Sequence, residues 1–215
     1  MCATLFLSAL LLGGYSSVGG AAFTVPAVAL QPLGGVDPDV VARLAESLKA
    51  FYGTAVTVLP AEPLPAAAFY PPRGRYRADR IVAFLDRTTS RDVAHVIGVT
   101  SEDISVTNGR FPDWGVLGVA ALSGRPGIVS TFRLRAGGAS DELLQARLDR
   151  VAAHELGHSF GLPHCPHRGC LMQDAEGSIR PVDLSTGRLC DECFRRLALA
   201  LRPASEAAVP PTATR

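Results

Sequence analysis

The segment His154-Glu155-Leu156-Gly157-His158-Ser159-Phe160-Gly161-Leu162-Pro163-His164 constrains this chain more than any other stretch. His154 and His158 stand four residues apart, so on a helix both imidazoles leave one face and can share a metal ion. Glu155 is offset by about 100° around the helix axis. It sits beside that metal rather than on it, where a carboxylate can take a proton from water. Gly161 adopts a left-handed conformation at little cost, so it can end the helix and turn the chain back. The turn returns His164 as a third nitrogen ligand. Three protein ligands leave a fourth position open, which marks a catalytic rather than a structural zinc site. A buried amphipathic helix with incidental histidines is the plainer reading of a lone HExxH. The longer pattern, with Gly161 and His164 in place, is too specific for it.

A second constellation follows directly. Cys165 and Cys170 are separated by four residues, and Cys190-Asp191-Glu192-Cys193 forms a CxxC pair. Both spacings suit thiolates closing on one tetrahedral zinc. The remaining cysteine, Cys2, lies in the extreme N-terminal segment. Two disulfides are the alternative use of the four, favoured in an exported chain. His167 can replace one thiolate, but four cysteines already complete a shell. Such a shell has no open position, so this zinc is structural and fastens the segment after the signature to the C-terminal segment.

From His154 to Cys193 the full pattern is HExxHxxGx3Cx4CxMx17CxxC. At every fixed position the chain resembles the archaemetzincins, a subfamily of the metzincin zinc peptidases. The similarity extends upstream through Arg73-Gly74-Arg75-Tyr76, Gly98-Val99-Thr100 and Val129-Ser130-Thr131, so it spans roughly residues 26–202. Taken alone, Met172 reads as core filler. The resemblance implies instead that it forms the Met-turn, an apolar floor beneath the catalytic zinc. It further implies that Trp114–Leu122 is the antiparallel edge strand above the zinc, where a peptide binds by adding a strand. Gln173 follows Met172, so a Met-turn tyrosine at that adjacent position is absent.

The element order agrees with an α+β, zincin-like architecture. Such a fold has a twisted mixed sheet, an active-site helix and a small zinc-stapled C-terminal part. Ala27–Leu30 reads as a short strand. Asp37 reads as an N-cap with Pro38 at the first helical position, and the helix runs to Phe51 and stops at Gly53. Val56–Leu59 is a strand, and the Pro- and Ala-rich residues 60–76 form a long loop. A helix over Arg77–Asp86 precedes the strand Ala94–Thr100, in which His95 is a sheet residue rather than a ligand. Trp114–Leu122 and Gly127–Phe132 are strands joined by a turn over 123–126. Ser140 caps a long helix, with Asp141 and Glu142 in its first turn. On that helix Leu144, Leu148, Val151 and Leu156 pack on the sheet. A last helix covers Phe194–Leu201. Trp114 and Phe111 are expected to anchor the core rather than line the cleft. Loops 60–76 and 101–113 are expected to wall it.

Residues 1–25, with the apolar run Leu5–Leu12, resemble a signal peptide but lack a preceding Lys or Arg. They form either that or a disordered extension. Residues 26–202 form the peptidase domain, and 203–215 a disordered tail. Without cleavage of 1–25 the protein is expected in the cytoplasm; with it, outside. The net charge of +1 gives no case for nucleic acid, and the apolar run is too short for stable membrane insertion. The expected molecule is a monomeric zinc metallopeptidase acting on peptide or protein, with one catalytic and one structural zinc and Glu155 as general base. A noncatalytic four-cysteine zinc module that binds protein or nucleic acid is the alternative. It has no use for His164 or Glu155.

Overall fold

A computed structural model describes residues 15–18 and 21–202. Cys2, the Leu5–Leu12 run and the 203–215 tail lie outside the described residues. The described chain opens with β1 (Tyr15–Val18) and β2 (Ala21–Thr24), an antiparallel pair. Phe23 and Val25 are already buried in the core, and Phe23 meets Phe194 edge-on at 6.3 Å between ring centroids.

The main sheet contains β3 (Val28–Leu33), β4 (Val56–Val58), β7 (His95–Thr100), β10 (Gly118–Ala120) and β11 (Pro126–Ser130). The spatial order is β10-β11-β7-β3-β4, with only β10 antiparallel to its neighbour. Its central strands are near-continuous apolar runs, as strands covered on both faces must be. One face carries α1 (Pro38–Tyr52) and α3 (Asp141–Ser159). Asp37 caps α1 by accepting from Asp39 N at 2.8 Å, and Gly53 ends it in a left-handed conformation at φ 63°. Leu144, Leu148, Val151 and Leu156 of α3 are buried, as the helical spacing requires.

The other face carries α2 (Ala78–Thr88), which packs so closely on β7 that a β-carbon on Gly98 would lie 2.9 Å from Leu85 Cδ1. A second, four-stranded sheet lies beyond it, in the order β5-β6-β8-β9. Its strands are β5 (Phe69–Tyr70), β6 (Arg75–Arg77), β8 (Ile104–Asn108) and β9 (Phe111–Val116). The sequence expectation of one long loop over 60–76 is therefore corrected. Strands of two or three residues among prolines and alanines carry no readable alternation.

The expected single strand Trp114–Leu122 is also corrected. Its first part belongs to β9 of the second sheet, and Gly118–Ala120 alone forms β10. Buried Leu117 marks the switch between sheets.

The C-terminal part adds α4 (Ile179–Leu184) and α5 (Asp191–Ala200). α4 was not expected. α5 begins three residues before the expected Phe194, because Asp191 and Glu192 suit a helix N-terminus. Among the described residues no helix is long and apolar enough to cross a membrane.

Candidate active site

α3 begins with Ser140, which accepts a hydrogen bond from Leu143 N at 3.3 Å, and ends one turn after His154. Gly161 lies at φ 91°, and its N–H donates to His158 O at 2.8 Å. Leu162 N donates to Gly157 O at 2.9 Å, closing the helix end and swinging His164 back over it. The rings of His154, His158 and His164 then gather with centroids 4.6, 4.8 and 5.4 Å apart. One nitrogen from each lies within 4.8 Å of the other two, a group able to hold a metal ion.

The remaining ring nitrogens explain the orientation. His154 Nδ1 donates to Leu171 O at 2.8 Å, and His158 Nδ1 to Leu162 O at 2.7 Å. His164 Nδ1 lies 3.2 Å from Asp174 Oδ2. A carbonyl or carboxylate oxygen only accepts, so each Nδ1 carries a proton and Nε2 is the ring nitrogen left for a metal. Burial lowers the pKa of His154 to about 4 and that of His158 as well, which keeps both rings neutral. Neutral imidazoles with free Nε2 lone pairs are what a zinc site needs.

Glu155 is buried on the adjoining face of α3. Desolvation pushes its carboxyl up to about 8, opposed by a hydrogen bond from Ala120 N–H and reinforced by the charge of Asp174. A β-carbon on Gly118 would lie 2.8 Å from Glu155 Oε1, so glycine there lets the carboxylate keep this position. Ser130 N donates to Leu117 O at 2.9 Å. Residues of an antiparallel edge strand alternate in direction, so Gly118 and Ala120 turn their N–H and C=O groups away from β11, and the Ala120 N–H meets the Glu155 carboxyl there. The following turn is tied to the same helix, with Ser123 N donating to His158 O at 2.8 Å.

Met172 is fully buried against Gly157, which directly precedes His158. A β-carbon on Gly157 would meet its sulfur at 2.5 Å. Its carbonyl accepts from Cys165 N at 2.8 Å. This bond couples the loop after the signature to the cysteine cluster. The sulfurs of Cys165, Cys170, Cys190 and Cys193 all lie within 4.8 Å of one another. Cys165 and Cys190 are 3.7 Å apart, and Cys170 and Cys193 3.8 Å. Those values match the edge of a tetrahedron with Zn–S of about 2.3 Å, which is about 3.8 Å. They far exceed a bonded disulfide, and all four thiols are free. His167 stands beside the group, its Nδ1 3.4 Å from Cys165 Sγ.

The cleft over the histidines is about 260 Å³, lined by Val116–Ala120, α3, residues 170–177 and α4. Residues 60–76 and 101–113, expected as loops that wall it, do not line it, and 101–113 is not a loop but carries β8 and the start of β9. Phe111 is 45% exposed and does not anchor the core. Trp114 is half-buried, and its ring packs on Gly177, where a β-carbon would lie 2.8 Å from Trp114 Cζ2. Sequence reasoning missed Asp174. A lone aspartate two residues after Met172 looks like any solvated loop carboxylate, and only its approach to His164 sets it apart.

The arrangement has known counterparts. Residues 66–199 match the model of Peptidase family M54. An archaemetzincin of Haloquadratum walsbyi is 31% identical over 177 residues, covering 79% of this chain and 98% of the relative. One of Halobacterium salinarum is 33% identical over 175 residues, covering 78% and 97%. Among solved structures, the archaemetzincin of Methanopyrus kandleri superposes with a TM-score of 0.70 at 31% identity, covering 82% of this chain and 95% of that one. The archaemetzincin of Archaeoglobus fulgidus, complexed with malonate, gives 0.68 at 32%, covering 79% and 99%. Similarity on this scale, spread over nearly the whole length of each relative, leaves one assignment: the chain belongs to peptidase family M54, the archaemetzincins, and is a zinc metallopeptidase.

Proposed function

We propose that the enzyme hydrolyses peptide bonds at a zinc held by His154, His158 and His164, with Glu155 as general base. A second, structural zinc is held by Cys165, Cys170, Cys190 and Cys193. Residues 26–202 form the catalytic unit. The observation that carries this reading is the engagement of every histidine Nδ1, which leaves each Nε2 as the nitrogen available to one metal beside a buried carboxylate.

Bound zinc supplies Lewis acidity, which polarises a carbonyl and makes water a stronger acid. The chain's own residues do the rest. The open N–H and C=O groups of Gly118 and the C=O of Ala120, whose N–H already serves the Glu155 carboxyl, align an extended peptide along β10 by strand addition. Glu155, at the inner side of that edge, takes a proton from the attacking water. It passes the proton to the departing amine as the C–N bond breaks, so it ends the cycle as it began. Met172 floors the histidine cluster and keeps water out from below. A noncatalytic module built on the cysteines alone leaves the histidines and Glu155 without a use.

The test is Glu155→Ala, assayed on a mixed peptide library beside the parent. We expect turnover to fall by a factor on the order of 10²–10⁴, with metal content unchanged. Parental turnover by that variant, after removal of contaminating proteases, would sink the mechanism.

A further inference from the structure

The cleft beside the histidines is walled largely by carbon, with Leu117 and Val119 on one side and Val151, Pro181 and Val182 on the other. Arg150 breaks that pattern. It lies four residues before His154 on α3, one turn or about 6 Å along the axis, and shares the face that carries the helical histidines. It is partly buried, and Nη1 donates to Val182 O at 3.2 Å.

The carboxylates around it are hydrogen-bonded elsewhere, although its charge still favours the ionised forms of Asp149 and Asp183. Both oxygens of Asp183 take Arg147, at 2.7 and 2.8 Å. Asp149 accepts from Gln145 at 2.8 Å, and Asp174 faces His164. Among the described residues Arg150 forms no ion pair. A guanidinium presents five donors in a planar fork that matches a carboxylate, and a partly desolvated fork is costly to leave unmatched. A full positive charge at the lining of a carbon-walled cleft selects for a ligand that is apolar along its length and anionic at its end.

We propose that Arg150 is a specificity-determining residue that receives a carboxylate of the bound peptide. The carboxylate comes either from an acidic side chain or from a free C-terminus. The inference rests on reading the three histidines as the metal centre.

Peptidyl hydroxamates anchor on a metal without being hydrolysed, so they separate this proposal from turnover. Three forms are compared by calorimetry on the zinc-loaded protein, with the varied residue scanned along the peptide. One has Glu with an amidated C-terminus, one Gln with an amidated C-terminus, and one Gln with a free C-terminus. A charge-assisted fork is about twice as strong as a neutral contact, so we expect roughly tenfold tighter binding of one carboxylate form over the amidated Gln form. Preference for the Glu form identifies a side-chain carboxylate; preference for the free C-terminus identifies the chain end. Either preference should vanish in Arg150→Met and survive in part in Arg150→Lys. Arg150→Glu should favour a Lys side chain instead, and melting curves check that each variant folds.

Equal binding of all three forms by the parent, or a preference surviving in Arg150→Met, overturns the role of Arg150. Binding that is lost in His154→Ala still upholds the metal centre in that case. Failure of every hydroxamate to bind overturns both.

Discussion

Asp174 Oδ2 stands 3.2 Å from His164 Nδ1, and it is the one side chain, rather than a backbone carbonyl, that orients a histidine of the cluster. His154 and His158 sit on α3 and are held by main-chain oxygens, whereas half-exposed His164 comes from the turn that follows. Asp174→Ala should therefore weaken zinc binding at the histidines by about 10–100-fold with little change in melting point. Competition with a chromophoric chelator measures the affinity. Parental affinity in the variant would show that the turn at Gly161 orients His164 unaided.

Gly118 offers a sharper probe of the reacting geometry. A methyl group there meets Glu155 Oε1 and Cγ, each at 2.8 Å, so the carboxylate must move. We expect Gly118→Ala to cut kcat by about 10²-fold, the scale of a 1 Å misplacement, and to leave metal content at the parental level. A loss confined to KM would assign Gly118 to substrate alignment alone.

The cysteine cluster joins a segment adjoining His164 to the distant start of α5. Cys190→Ser should release the structural ion and loosen residues 164–172, with a melting point lower by on the order of 10 °C. It should also weaken zinc at the histidines, through the bond from Cys165 N to Met172 O. His154→Ala should instead empty only the histidine site. Zinc stoichiometry and melting of both variants decide between them. Parental values for Cys190→Ser would remove the cluster from any metal role.

Arg147 is buried on α3 and pairs in two-pronged fashion with Asp183 of α4, at 2.7 and 2.8 Å. That hydrogen-bonded partner holds the Asp183 carboxyl below its usual range. A depressed folded value contributes stability that is full above the unfolded pKa of about 3.9 and is lost as pH falls through the folded value. Asp183 is about a third exposed, so we expect Asp183→Asn to cost only about 1–2 kcal/mol at neutral pH. The acid loss of stability should be shallower in the variant than in the parent. Urea midpoints measured from pH 7 to pH 3 give both numbers, and parallel curves would count against the pair.

The parts of this molecule that were legible in its sequence are those set by short-range spacing. The interval from His154 to His158 means something only on a helix, and Gly161 then dictates a turn. The CxxC at Cys190 and Cys193 is similarly local, although its placement in the first turn of α5 was not foreseen. Within the second sheet β5 and β6 are too short to alternate, whereas β8, Ile104-Ser105-Val106-Thr107-Asn108, does alternate and is passed over when 101–113 is read as a loop. Residues 114–122 read as one strand because nothing at Leu117 announces that the chain changes sheets there. Asp174 and Arg150 were invisible for another reason. A charged side chain acquires meaning only from what it faces, and those neighbours lie on other elements.

The unpaired border of β10 has a consequence for the molecule in a crowded solution. A sheet that admits extended peptides must leave backbone donors and acceptors unsatisfied, and any passing strand, including that of a sister molecule, can take them. Here the exposed ladder is only Gly118–Ala120. It is bounded on one side by Leu117 crossing to another sheet and on the other by a turn bonded to His158. So short a template gives a second copy few bonds to hold, whereas a substrate bound as proposed would gain the rest of its grip from the cleft and the histidine cluster. The brevity of this strand lets the enzyme keep an open sheet edge without growing into an aggregate.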